Sequence, residues 1–149
     1  MCMATIRSTA EPANSQTASG VGAPLVFLLR FEGLAATALS AVFYARTGAS
    51  WWLFAALWLA PDLSLLGYLA GPNWGARIYN AIHSYVTPAT LAVSALLLHS
   101  AALVPIASIW MNHIGVDRLL GYGLKYPAGF KWTHLGKLGR RRREITQTG

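Results

Sequence analysis

The stretch ASWWLFAALWLAPDLSLLGYLA, from Ala49 to Ala70, carries one charged residue, Asp62, among apolar neighbours. At about 1.5 Å per residue, an α-helix of this length covers about 33 Å, enough to cross the ~30 Å hydrocarbon layer of a membrane. The stretch therefore predicts a transmembrane helix with a carboxylate in its interior. Pro61, directly before Asp62, lacks a backbone donor and predicts a distortion of the helix beside that carboxylate.

The rest of the chain repeats this pattern three times, at about Pro24–Ala45, Trp74–Leu98 and Ala101–Tyr122. Of the 149 residues, 54% are hydrophobic and 11% are charged, against about 25% charged in soluble domains. This composition excludes a disordered chain and a water-soluble domain, and the single cysteine, Cys2, excludes a disulfide framework or a Cys-rich metal site. We predict an all-α fold, a bundle of four transmembrane helices.

The apolar stretches divide the chain into three parts. Residues 1–22 are rich in Ser, Thr and Ala without hydrophobic periodicity, which predicts a disordered N-terminal tail. Residues 23–122 form the predicted transmembrane domain, and residues 123–149 form a basic C-terminal tail that contains aromatic residues. The segment 121–144, which overlaps this tail, is expected to lie on the membrane surface; the alternative is a lid or a partner-binding tail over polar groups within the bundle.

Basic residues predict the orientation of the bundle, because cytoplasmic loops are enriched in Lys and Arg. With four spans, the Lys and Arg residues that flank the spans all lie on one side of the membrane except Arg46, which lies on the opposite side. We therefore expect a multi-pass protein of the bacterial inner membrane with both termini in the cytoplasm. The run Arg140–Arg143 predicts attraction to anionic lipid and not to nucleic acid, and a homo-oligomer or a larger membrane complex is compatible with so small a bundle.

Ionisable and amide side chains occur inside all four predicted spans, where they are costly and tend to be functional or paired. The predicted intramembrane polar cluster consists of Arg30, Glu32, Asp62, Asn80, His83, His113, Asp117 and Arg118. Counted from the cytoplasmic ends of their spans, Glu32, Asp62, His83 and His113 share a depth of about 12–14 Å at about 1.5 Å per residue. Asp117 lies one turn from His113 on the same helix face.

Three interpretations of this cluster remain open at the level of sequence. It is a structural or accessory network that holds helices together, a metal or catalytic site, or a path for protons or small solutes. For the metal interpretation, two histidines and two or three carboxylates form a set suited to Zn, Mn or Fe, and His113-x3-Asp117 places an imidazole and a carboxylate on one helix face. No catalytic residue and no certain cofactor is assigned.

Several motifs resemble those of a bacterial integral-membrane family known as domain of unknown function 4260. They are LLRFEGLA (Leu28–Ala35), APDLSLLGYLAGP (Ala60–Pro72), YNAIHSY (Tyr79–Tyr85), HIGVDRLLGYGLKYP (His113–Pro127) and THLG (Thr133–Gly136). The resemblance covers about residues 25–139 and implies a membrane protein without naming a reaction.

A more distant similarity is to predicted membrane-bound metal-dependent hydrolases. The motifs Pro61-Asp62, His83-Ser84 and His113-x3-Asp117 occur in the same order here. This chain lacks a second acidic residue after Pro-Asp and has Tyr79 where a further histidine would stand. The similarity implies Asp62, His83, His113 and Asp117 as metal ligands, with a bound water as nucleophile.

Overall fold

The computed structural model describes residues 23–126, 132–133 and 135–137. The chain forms α1 (Ala23–Arg46), α2 (Trp51–Trp58), a 3₁₀ helix (Ala60–Ala70), α3 (Pro72–Ile82), α4 (Val86–Leu97), α5 (Leu103–Leu120), β1 (Trp132–Thr133) and β2 (Gly136–Lys137). The described chain is therefore mostly helical, as predicted. The N-terminal tail 1–22 and most of the C-terminal tail 123–149, including Arg140–Arg143, lie outside the described residues.

The helices follow the predicted apolar stretches, with two interruptions. The second stretch changes from α-helix to 3₁₀ helix at Leu59, next to Pro61, where proline cannot donate to the α-helical ladder. The third stretch is divided into α3 and α4 at His83–Tyr85. The third and fourth apolar stretches, which have the shortest connection, are separated by a tight turn. In this turn His99 has φ 51°, and the amide of Ser100 donates to the carbonyl of Ala95.

Two segments are long and apolar enough to cross a membrane by length and composition: Pro24–Arg46 and Trp51–Ala70, with mean hydropathies of 1.7 and 1.6. Val86–Leu97 is apolar but shorter. In the most apolar 18-residue window of each segment, 11% and 6% of the residues are buried, whereas a core helix of a soluble domain is mostly buried. Large apolar side chains such as Trp52 (85% exposed) and Leu69 (87% exposed) instead cover the outside.

Helix α5 lies at the centre of the bundle and packs against α1, α2 and α4. Its crossing with α1 is close because glycine faces glycine. A Cβ on Gly33 would lie 2.8 Å from the carbonyl oxygen of Gly115, and a Cβ on Gly115 would lie 2.7 Å from Oγ1 of Thr37. Small residues at such a crossing allow two backbones to approach, as in membrane helix pairs.

The 3₁₀ helix and α3 form a second unit, a hairpin closed at Gly71, whose φ is 103°. Gly75 of α3 lies against the ring of Tyr68, so closely that a Cβ there would be 2.3 Å from the ring. Two α5 side chains bind the C-terminal end of α3: Trp110 Nε1 donates to the carbonyl of Ile82 at 2.9 Å, and Arg118 donates to the carbonyl of His83 at 3.0 Å. These bonds satisfy carbonyls that a helix end leaves without partners.

After α5 the chain turns back towards α3. Gly121 adopts the left-handed conformation (φ 93°) that ends a helix with least strain. Lys125 then forms an antiparallel bridge with Thr133 in β1, and β1 pairs with β2 in the register Trp132 with Lys137 and Thr133 with Gly136.

Candidate metal centre

Three side chains from separate elements point their ligand atoms at one another. Nε2 of His83 and Nε2 of His113 are 3.3 Å apart, and Oδ1 of Asp62 lies 3.5 and 3.6 Å from them. All three ligand atoms fall within 4.8 Å of one another. A tetrahedral zinc site with Zn–N bonds of about 2.0–2.1 Å has ligand–ligand separations of about 3.3–3.4 Å. This ligand triangle (Asp62, His83, His113) therefore has the dimensions of one face of such a site.

Each ligand is positioned by a local feature of its element. Asp62 occupies the first turn of the 3₁₀ helix, directly after Pro61. His83 is the C-cap of α3, where its backbone amide donates to the carbonyl of Tyr79. His113 lies in the buried middle of α5, with the edge of the Trp58 ring against it at a centroid distance of 5.0 Å. Both histidines are 1% exposed, whereas the Asp62 side chain is 40% exposed, so the triangle is open on its aspartate side.

Hydrogen bonding fixes which nitrogen of His83 faces the triangle. Nδ1 lies 3.2 Å from the carbonyl oxygen of Tyr79 and 3.4 Å from the Ser64 hydroxyl; because a carbonyl only accepts, the hydrogen bond to Tyr79 is made by the tautomer with the proton on Nδ1. In the neutral ring Nε2 then presents a lone pair to the nitrogen of His113 only 3.3 Å away. Such support from a backbone carbonyl is typical of metal-binding histidines. A cation or a proton between the two nitrogens satisfies both, and a divalent ion also balances the carboxylates.

Asp117 extends the ligand triangle along α5. Its Oδ2 lies 3.7 Å from Nε2 of His83 and 3.8 Å from Nε2 of His113. The Tyr79 hydroxyl donates to the same oxygen at 3.4 Å. Asp117 is therefore available either as a further ligand or as the acceptor of a proton from a molecule bound at the open side.

Tyr79 is a site residue that the sequence does not predict as one, since it stands where the hydrolase motif would have a further histidine. Its ring stacks on that of His83, with centroids 3.8 Å apart and planes at 14°. The signal that could have revealed it is spacing, because Tyr79 and His83 are four residues apart and lie on one helix face.

Lys125 was also missed as part of the site. Its amide and carbonyl both bind the Asn80 side chain, at 2.7 and 2.8 Å, and its ammonium lies 4.5 Å from the centroid of the Tyr79 ring. Lys125 is 6% exposed, and burial lowers the pKa of its ammonium to about 8. Asn80 thus holds the chain after α5 against α3 and does not itself join the ligand triangle.

The remaining predicted cluster residues have other positions. Arg118 is buried and donates to the carbonyls of Tyr122 and His83, so it binds the backbone beside the site. Arg30 and Glu32 are on the exposed side of α1. Arg30 lies near Gly121, 2.8 Å from a Cβ built there. The structure therefore gathers Asp62, His83, His113 and Asp117, and leaves Arg30 and Glu32 outside.

A family model described as a domain of unknown function (DUF4260) matches residues 26–138. The chain belongs to the DUF4260 family. This match confirms the resemblance found in the sequence, and it contains every residue of the ligand triangle. No curated protein and no solved structure matches the chain, and the similarity to membrane-bound metal-dependent hydrolases gains no support from these comparisons.

Proposed function

We propose that this DUF4260 protein is an integral membrane protein that holds a divalent metal ion at Asp62, His83 and His113 for hydrolytic chemistry. The observation that carries the proposal is the ligand triangle, with sides of 3.3, 3.5 and 3.6 Å. Three protein ligands with an open side are typical of catalytic zinc sites, whereas structural sites are closed by four.

The membrane part of the proposal rests on the four apolar stretches and on the exposure of their large side chains. A water-soluble monomer rarely exposes a continuous apolar surface, yet Phe27, Phe31 and Phe43 of α1 are each more than half exposed. In a four-span bundle these side chains face lipid. The buried polar residues then occupy the interior, where intramembrane ionisable groups are expected.

The chemistry follows from the groups around the ligand triangle. A divalent ion held by three protein ligands would act as a Lewis acid and lower the pKa of bound water. Asp117 Oδ2, 3.7 and 3.8 Å from Nε2 of His83 and of His113, would accept a proton beside the ion, and the Tyr79 hydroxyl orients that carboxylate. His83 keeps its orientation through the Nδ1 hydrogen bond and the stacked Tyr79 ring.

Metal content of the purified protein tests the proposal. We expect near-stoichiometric zinc, manganese or iron in detergent-purified wild-type protein, measured by elemental mass spectrometry, and loss of most of it in His113→Ala and Asp62→Ala. His99→Ala is the control for adventitious binding, because His99 is exposed in the turn before α5. Equal metal content in wild type and His113→Ala would contradict the proposal.

A second control separates metal binding from helix packing. The same cluster joins the 3₁₀–α3 hairpin to α5, so a purely structural network is the competing function. Asn112→Ala removes buried hydrogen bonds of α5 to Trp58 and Thr37 and is expected to cost about 1–3 kcal/mol of stability while leaving metal content unchanged. If His113→Ala and Asn112→Ala lose stability alike and neither variant nor wild type binds metal, the structural function is correct.

A further inference from the structure

The described groups around the ligand triangle include two cations. Arg118 is 8% exposed and donates to the carbonyl of His83, and Lys125 is 6% exposed with its ammonium on the Tyr79 ring. A divalent ion balances the charges of Asp62 and Asp117, so these groups together become net positive once the ion is bound. In a region of low dielectric constant this charge favours an anion at the open side.

An apolar cavity is lined by residues that neighbour two of the ligands along the chain. It has a volume of about 80 Å³ and is lined by Leu57, Ala60, Pro61, Ile106, Ile109 and Trp110. Pro61 directly precedes the ligand Asp62, and Ile109 lies one helical turn before the ligand His113 on α5. Apart from the indole nitrogen of Trp110, which is bound to Ile82, the lining side chains are hydrocarbon, so the cavity suits an alkyl chain.

From these two features we propose that the metal-loaded site binds a lipid phosphomonoester. Its phosphate lies at the open side of the ligand triangle, and the start of its acyl portion lies in the cavity beside Pro61 and Ile109. A phosphate monoester has a second pKa near 6 and is close to a dianion at neutral pH, which matches the charges of Arg118 and Lys125. This inference rests on the proposed function, since the anion is bound to the metal-loaded form.

Phosphate binding tests the charge part of the proposal. Zinc-loaded protein in detergent is dialysed to equilibrium against radiolabelled inorganic phosphate, beside the metal-free form. We expect phosphate to bind only to the zinc-loaded form. In Lys125→Met the loss of one nearby positive charge should weaken phosphate binding by about tenfold. Arg77→Gln is the matched control, since it removes an exposed cation of α3 whose guanidinium carbon lies 5.7 Å from the Trp74 ring centroid; its binding is expected to equal that of wild type.

Competition distinguishes a lipid from a free phosphate. Dihexanoyl phosphatidic acid is expected to displace the labelled phosphate at concentrations about tenfold lower than glycerol 3-phosphate, from burial of a few methylene groups. Ala60→Leu, which fills the cavity, should remove this advantage without weakening inorganic phosphate binding.

The outcomes separate the two levels of the proposal. If the protein binds zinc but phosphate binding does not depend on the zinc, the anion inference is wrong and the proposed metal site stands. Equal competition by the two phosphates, or an advantage of the lipid that persists in Ala60→Leu, shows that a free phosphate or an unrelated surface is the target and overturns the lipid assignment. Absence of zinc binding overturns the proposed function itself.

Discussion

Tyr79 connects parts of the site that come from different elements. Its ring stacks on His83, its hydroxyl donates to Asp117, and the Lys125 ammonium lies over its ring. Groups that orient metal ligands in this way commonly contribute about 10–100-fold to metal affinity. Tyr79 is therefore a positioning residue for the proposed metal centre.

We expect Tyr79→Ala to weaken zinc binding by about 10–100-fold, measured by competition with a chromophoric chelator. Tyr79→Phe keeps the stacked ring and loses only the hydrogen bond to Asp117, so its loss should be smaller. Tyr85→Phe is the control, because the buried Tyr85 hydroxyl has no hydrogen-bond partner among the described residues. Equal zinc affinity in Tyr79→Ala and wild type would show that the stack has no positioning role.

The positions of Glu32 and Asp62 show what the sequence could and could not predict about single residues. Depth along a span follows from counting residues, which predicts Asp62, His83 and His113 at one level of a membrane; the structure brings their ligand atoms within 4.8 Å of one another. Counting does not give the rotation of a helix about its own axis. On α1 this rotation is fixed by Gly33, which faces α5, so that the neighbouring Glu32 is turned outwards.

At the scale of elements, the contact between α1 and α5 depends on the absence of side chains. Gly33→Val is expected to cost about 1–3 kcal/mol of stability, because a larger residue at a filled contact forces the helices apart. Thermal unfolding in detergent, followed by tryptophan fluorescence, measures this effect. Ala38→Val adds similar volume on the exposed side of α1 and should leave the unfolding temperature nearly unchanged. Equal stability of Gly33→Val and wild type would contradict the close crossing.

The breaks within the second and third stretches both lie beside a proline. Pro61 has a local signature, and the helix does change type beside it. The break at residues 83–85 lies one turn before Pro88, whose nitrogen cannot donate to the carbonyl of Ser84. The sequence does not reveal the partners of the freed carbonyls, since Trp110 and Arg118 of α5 bind those of Ile82 and His83. Tertiary contacts of this kind cannot be deduced from a local pattern.

At the scale of the whole molecule, the proposed four-span topology predicts that successive connections between spans lie on alternate sides of the membrane. Alkaline phosphatase fused after residue 47 or 100 should be active, and after residue 72 or 126 inactive, while green fluorescent protein should show the reverse. This pattern follows from the cations on one side and the lone Arg46 on the other. Each fusion has the other reporter as its control. Activity of phosphatase after both 47 and 72 would contradict the topology.

The ligand triangle also bears on the order in which the protein is made. Asp62 and His83 belong to the 3₁₀–α3 hairpin, which the ribosome completes first, whereas His113 and Asp117 belong to α5. The two carbonyls at the end of α3 likewise acquire their donors only with α5. A chain still in synthesis thus holds half of its ligands in an unfinished bundle. Metal acquisition, on the proposed function, is a late step of biogenesis that marks completion of α5.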